Sequence, residues 1–154
     1  MKKLIIMLLI SAACYGQNDY ILKNRNTPII DAVVNGVTVN MLIDTGASVN
    51  IINSESVYKF KGVKLYGEKQ LVTVGSNTRA NSLRNIDATV KGRKVSEFIS
   101  LDLTSLQSSI QAETRLEIDG IIGVSGIKEL GMVIDLRRGI VTINKNSAIT
   151  VSTD

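Results

Sequence analysis

At 154 residues, with 44% apolar and 21% charged side chains, the chain is long enough for one domain with its own core and crowded for two. It has no histidine and one cysteine, which excludes histidine-built zinc sites, Ser-His and Cys-His nucleophile systems, and a disulfide framework within one chain. The net charge of +4 comes with no basic stripe interleaved with aromatics, so nothing points to nucleic acid, and carboxylates are the main catalytic groups left.

Residues 1–16 have the anatomy of a secretory signal peptide. Lys2-Lys3 is a basic start, Leu4 to Ile10 an apolar run too short to span a bilayer, and Ser11 to Gly16 a small-residue exit. Cleavage after Gly16 would leave Gln17 as the terminus and, with two lysines gone, a charge of +2. The expected location is exported, periplasmic or secreted. The rival is a membrane-anchored lipoprotein with lipid on Cys14; against it stands Ser11, where such signals normally carry an aliphatic residue.

Gln17 to Thr27 reads as a polar lead-in, and the domain is expected over residues 28–154. Pro28 to Val34 and Val37 to Ile43 are β-branched and apolar and flank Asn35-Gly36, a strong hairpin signal. The second of these strands runs into Asp44-Thr45-Gly46-Ala47-Ser48. A buried strand fixes the acid at its end, Gly46 permits a tight turn beside it, and the Thr45 and Ser48 hydroxyls are available to hold neighbouring groups. Asp-Thr-Gly alone is also an ordinary strand-ending turn, so the flanks decide its meaning.

Val49 to Ile52 predicts a strand, with Asn53 or Ser54 capping a short helical turn through Phe60. Lys61 to Glu68 reads as a solvent-facing connector. Leu71 to Val74 and Leu83 to Val90 predict β-structure around a polar tip, Gly75-Ser76-Asn77-Thr78, and Lys94 to Leu103 another strand centred on Phe98 to Leu101. Between Asp102 and Glu117, Leu103, Leu106 and Ile110 have helical spacing, but dense serine and threonine leave helix and loop both open, and no function is assigned. Leu116 to Gly123 carries an Asp119-Gly120 turn and then two aliphatics ending in glycine. Val124 to Leu130 predicts a brief helix ended by Gly131, and Met132 to Leu136 with Ile140 to Ile143 a closing hairpin around Arg137-Arg138-Gly139. The tail beyond Asn144 is polar, with Ile149 and Val151 as candidates for pairing at a dimer edge.

The apolar strand before Asp44 and the Ala47-Ser48 after the glycine resemble the signature of the aspartic proteases, and Ile121-Ile122-Gly123 resembles that family's strand behind the catalytic turn. Over Pro28 to Ile143 the chain resembles a retropepsin-like, single-lobe aspartic protease of bacterial exported type. The resemblance implies an all-β, closed-barrel domain with one or two short helices and one lobe per chain. It implies a homodimer with Asp44 of each chain as the catalytic carboxylate, supported by Thr45, Gly46 and Ser48. It also implies a flap containing Gly75 and Ser76, a peptide or protein substrate, and neither cofactor nor metal. One Asp-Thr-Gly per chain agrees, since a second carboxylate then has to come from another chain.

One departure stands out: viral retropepsins follow the second block with an arginine used in dimer contacts, and here Val124-Ser125 occupies that place. Asp119 and Asp135 read as structural carboxylates in a turn and a strand. The substrate-binding residues are not assigned by the sequence. The rival function is a non-catalytic peptide-binding module of the same fold, using its groove for extended peptides.

Overall fold

Asn35 and Gly36 take φ values of 47° and 81°, the left-handed pair that a two-residue turn between right-twisted strands requires. The computed structural model describes residues 16–73 and 76–144, with side chains except at 69–73, 76 and 77. Its strands are β1 (Asp19–Ile21), β2 (Ile29–Val34), β3 (Val37–Ile43), β4 (Asn50–Asn53), β5 (Lys64–Thr73), β6 (Ser76–Arg84), β7 (Ala88–Val90), β8 (Arg93–Val95), β9 (Phe98–Leu101), β10 (Gly120–Ile122), β11 (Met132–Asp135) and β12 (Ile140–Ile143). The helices are α1 (Thr104–Thr114), α2 (Val124–Glu129) and a 3-10 segment over Ser54–Lys59. The fold is mostly β with a few short helices, as expected.

The expected β2–β3 hairpin pairs in unbroken register from Ile29 opposite Leu42 to Val34 opposite Val37. It lies inside a nine-stranded sheet of order β5-β6-β9-β4-β10-β3-β2-β7-β8, and β1, β12 and β11 form a second sheet in that order. β10 runs parallel to β3 and antiparallel to β4, so it lies between the strand entering the Asp44 turn and the strand leaving it.

Burial on both faces explains why β3 ends in a continuous apolar run and does not alternate. Met41 and Ile43 pack into one core cluster with Ile30, Ile52 and Ile122, while Leu42 packs into another with Ile51, Ile99 and Ile121. Leu103 and Ile110 belong to that second cluster. Their burial resolves the open reading of Asp102 to Glu117 as a helix over Thr104–Thr114; its N-cap is Leu103, and Asp102 just before it accepts from the Thr104 amide through Oδ1 at 2.9 Å.

Four expectations are corrected. The lead-in Gln17 to Thr27 is partly structural: β1 pairs with β12, the Thr142 hydroxyl donates to Asp19 at 2.6 Å, and Leu22 is buried. The connector at Lys61 to Glu68 becomes strand from Lys64 onward; Gly67 (φ 61°) marks a register shift between Tyr66 and Glu68 that disguises the alternation. The strand expected over Leu83 to Val90 is broken, because Asn85 takes φ 62° and Asn35 Nδ2 donates to its carbonyl at 2.8 Å. Similarly, Lys94 to Leu103 divides into the end of β8 and β9. Gly75, the leader residues 1–15 and the tail with Ile149 and Val151 lie outside the described residues. Among the described residues no helix is long and apolar enough to cross a membrane.

Candidate active site

β3 delivers Asp44 to the surface with its backbone already fixed. The Asp44 amide donates to the Ile122 carbonyl at 3.0 Å, continuing the parallel pairing of β3 with β10. Beyond it the chain reverses, and the Ala47 amide donates back to the Asp44 carbonyl at 3.3 Å. The half-buried carboxylate accepts from the Gly46 amide through Oδ1 at 2.8 Å, while Oδ2 has no hydrogen-bond partner among the described residues. One oxygen is tied to the turn and the other is open among the described residues. Gly46 eases this approach: a Cβ there would lie 3.1 Å from Asp44 Oδ1, so the carboxylate would have to give by a few tenths of an ångström.

Thr45, Gly46 and Ser48 are exposed at the tip, and neither hydroxyl is hydrogen-bonded among the described residues. Ser48 contributes through its backbone: its carbonyl accepts from the Ser125 amide at 3.1 Å, next to the Val124 amide on the Ala47 carbonyl at 2.8 Å. The start of α2 is thus stitched beneath the turn. Gly123 makes the closeness possible, since a Cβ there would collide with the Val49 carbonyl oxygen and lie 2.7 Å from that of Ala47.

The family model described as aspartyl protease matches residues 30–125, a span containing both the Asp44 turn and Gly123. The chain belongs to the aspartyl protease family. Among solved structures this retropepsin-like member is similar to the EIAV protease complexed with the inhibitor HBY-793, with a TM-score of 0.51 and 19% identity, covering 71% of this chain and 92% of that one. That likeness is one of fold. No curated protein matches the chain.

In this aspartyl protease family member the other two carboxylates singled out are engaged structurally. Asp119 is buried, and its Oδ1 accepts from the Ser56 hydroxyl and from Lys59 Nζ, each at 2.7 Å. That hydrogen bond raises the Lys59 pKa above its usual value, opposed by partial burial and assisted by the charges of Asp119 and Glu117. Asp135 Oδ1 accepts from the Arg138 amide at 3.0 Å and so closes the β11–β12 turn. Ser76 opens β6 opposite Thr73.

The residue that sequence reasoning missed is Asn50. It is fully buried; its Oδ1 accepts from the Gly123 amide at 3.0 Å and its Nδ2 donates to the Ser96 carbonyl at 2.9 Å. Gly126 leaves the space its side-chain oxygen occupies. A polar residue inside the apolar run Val49 to Ile52 was the available signal, because a buried amide must find partners.

Proposed function

We propose that this chain is an aspartic endopeptidase that works as a homodimer, with one Asp44 from each subunit at a shared site. The observation that carries the reading is the Asp44 carboxylate itself, tied by Gly46 through one oxygen and free at the other among the described residues, with one such turn per chain. Two carboxylates within hydrogen-bond reach cannot both ionise cheaply, so the pair holds a single proton and titrates as a unit. This is the general chemistry of aspartic protease dyads.

The ionised partner takes a proton from water, whose oxygen attacks the scissile carbonyl carbon. The protonated partner hydrogen-bonds and then protonates the carbonyl oxygen. In the resulting gem-diol a proton passes to the amide nitrogen, the C–N bond breaks, and no acyl-enzyme forms. Thr45 braces the two turns against each other and Gly46 keeps the backbone close. The peptide lies extended under the β5–β6 hairpin, whose Gly75 and Ser76 act as the flap, and gains main-chain hydrogen bonds as an added strand. Residues 1–16 export the protein; intact mass starting at Gln17, as opposed to a lipid-bearing Cys14, separates secretion from membrane anchoring.

The deciding experiment measures cleavage of a mixed peptide library by the wild type and by Asp44→Asn, together with sedimentation at the assay concentration. A dimer that cleaves, and a folded Asp44→Asn that does not, is the expected result. Unchanged cleavage in the variant overturns the catalytic assignment. A persistent monomer with no cleavage favours the peptide-binding module.

A further inference from the structure

A cavity of about 300 Å3 is walled by Val49, the residue that follows the Asp44 to Ser48 turn, and by Ser82, Leu83, Phe98, Ile99 and one charged side chain, Glu97. Ile99 is paired with Ser82 on one side and Ile51 on the other, so the cavity lies along the seam where β9 joins β6 to β4, the strand leaving the turn. A volume at the low end of the range for ligand sites suits one long side chain better than a whole small molecule.

Glu97 is held in an unusual way. Its φ of 61° is left-handed, a conformation that strains a residue carrying a Cβ and that turns normally give to glycine or asparagine. The preceding Ser96 is gripped on every polar atom: its amide and hydroxyl donate to Glu129 at 3.0 and 2.6 Å, and its carbonyl accepts from Asn50 Nδ2 at 2.9 Å. Asn50 also accepts from Gly123, whose neighbour Val124 donates to Ala47, so a short series of hydrogen bonds ties the Glu97 loop to the Asp44 turn. Among the described residues the exposed Glu97 carboxylate makes no ion pair or hydrogen bond of its own.

We infer, on the basis of the peptidase reading above, that this cavity is a side-chain subsite of the substrate cleft and that Glu97 makes it select lysine or arginine. The methylene stem lies against Val49 and Ile99, which pack into the same core cluster, and the cationic head reaches the Glu97 carboxylate at the open rim, where it stays partly solvated. An acidic side chain meets like charge at that rim.

The test uses the full chain and peptides that carry lysine, methionine or glutamate at one position in turn, the methionine being a neutral side chain of similar length. The wild type is expected to favour lysine over methionine by about tenfold in kcat/KM at one position, the discrimination of a single charge-assisted hydrogen bond. Glu97→Gln is expected to bring that ratio to near one, and Glu97→Lys to turn the preference toward glutamate. The same peptides are titrated by fluorescence anisotropy onto Asp44→Asn and onto Asp44→Asn combined with Glu97→Gln, which reads the cavity without catalysis. Lysine selectivity in binding that Glu97→Gln abolishes supports the subsite even if no cleavage is found, in which case the peptidase reading falls alone. Asp44-dependent cleavage with no basic preference at any position, or a preference that survives Glu97→Gln, overturns the subsite. Neither cleavage nor selective binding overturns both.

Discussion

Asn50 Oδ1 accepts the Gly123 amide at 3.0 Å in a fully buried site, joining residues 73 positions apart. The bond locks the strand that leaves the Asp44 turn to the end of the strand that crosses behind it, and the same side chain holds the Ser96 carbonyl. Removing it leaves the buried Gly123 amide and the partly buried Ser96 carbonyl without that partner. Asn50→Ala is therefore expected to destabilise the fold by about 3 kcal/mol, measured as a shift of the urea midpoint at unchanged slope. Asn50→Asp should not rescue it, because a carboxylate cannot donate to Ser96 and would be a buried charge. A loss under about 1 kcal/mol would remove Asn50 from this role.

Gly123→Ala tests the same junction sterically. The new methyl meets two backbone oxygens, those of Val49 and Ala47, and neither can rotate away. Overpacking of this kind costs about 1–3 kcal/mol and here displaces the turn that carries Asp44. Peptide cleavage should fall with stability, and a variant of wild-type melting temperature and activity would contradict the tight packing.

Gly46→Ala acts on the carboxylate directly. Its Cβ would lie 3.1 Å from Asp44 Oδ1, so the acid must move by a few tenths of an ångström. A displacement smaller than the 1 Å that costs a hundredfold should lower kcat about tenfold with the protein still folded. Steady-state kinetics beside a thermal melt checks this, and an unchanged kcat would mean that Asp44 has slack.

Lys59 and Asp119 anchor the 3-10 segment to the start of β10. The Lys59 pKa is raised above 10.5 in the folded chain, so the pair stabilises fully below that pH and fades as pH climbs through the folded value. Lys59→Met leaves Asp119 buried with only Ser56 as side-chain partner. Breaking a fully buried pair costs 3–5 kcal/mol; with Lys59 about a quarter exposed, we expect about 2 kcal/mol at pH 7. Denaturant melts at pH 7 and pH 11.5 should show the difference between wild type and variant shrinking at the higher pH.

Acid should weaken the fold from a defined point. The Asp19, Asp31 and Asp102 pKa values are lowered from 3.8, chiefly by hydrogen bonds from Thr142, Lys91 and Thr104 respectively. Carboxylates with depressed folded values stabilise above their unfolded pKa and lose that contribution as pH falls through the folded one. The melting temperature should accordingly drop below pH 3.8, and Lys91→Met should flatten the drop. A flat profile down to pH 2 would contradict the shifts.

Much of the architecture was legible in local sequence. The Asn35-Gly36 hairpin, the Asn53 cap, the β11–β12 closing turn and the strand ending in Gly123 all follow from dihedral preferences and alternation contained within a few residues. The Asp44 turn was visible for the same reason, since strand, acid and glycine are contiguous. Other features depended on distant partners. Asp19 is strand because Thr142, 123 positions away, accepts it into a sheet, and α1 is helix because Leu103 and Ile110 find the cluster around Leu42 and Ile121. The Gly67 bulge hid the onset of β5 from any period-two reading.

The sequence by itself determined that a carboxylate ends a buried strand in a tight glycine turn, because those choices are made by neighbours along the chain. Only the tertiary structure decided what braces that turn and what surrounds it: Asn50 reaching Gly123, Asp119 committed to Lys59, and Glu97 held at the mouth of a cavity. Each of these rests on contacts between residues 46 to 73 positions apart, or on the shape left between three strands. The burial and hydrogen-bond energies that fix them do not exist until the chain has closed on itself.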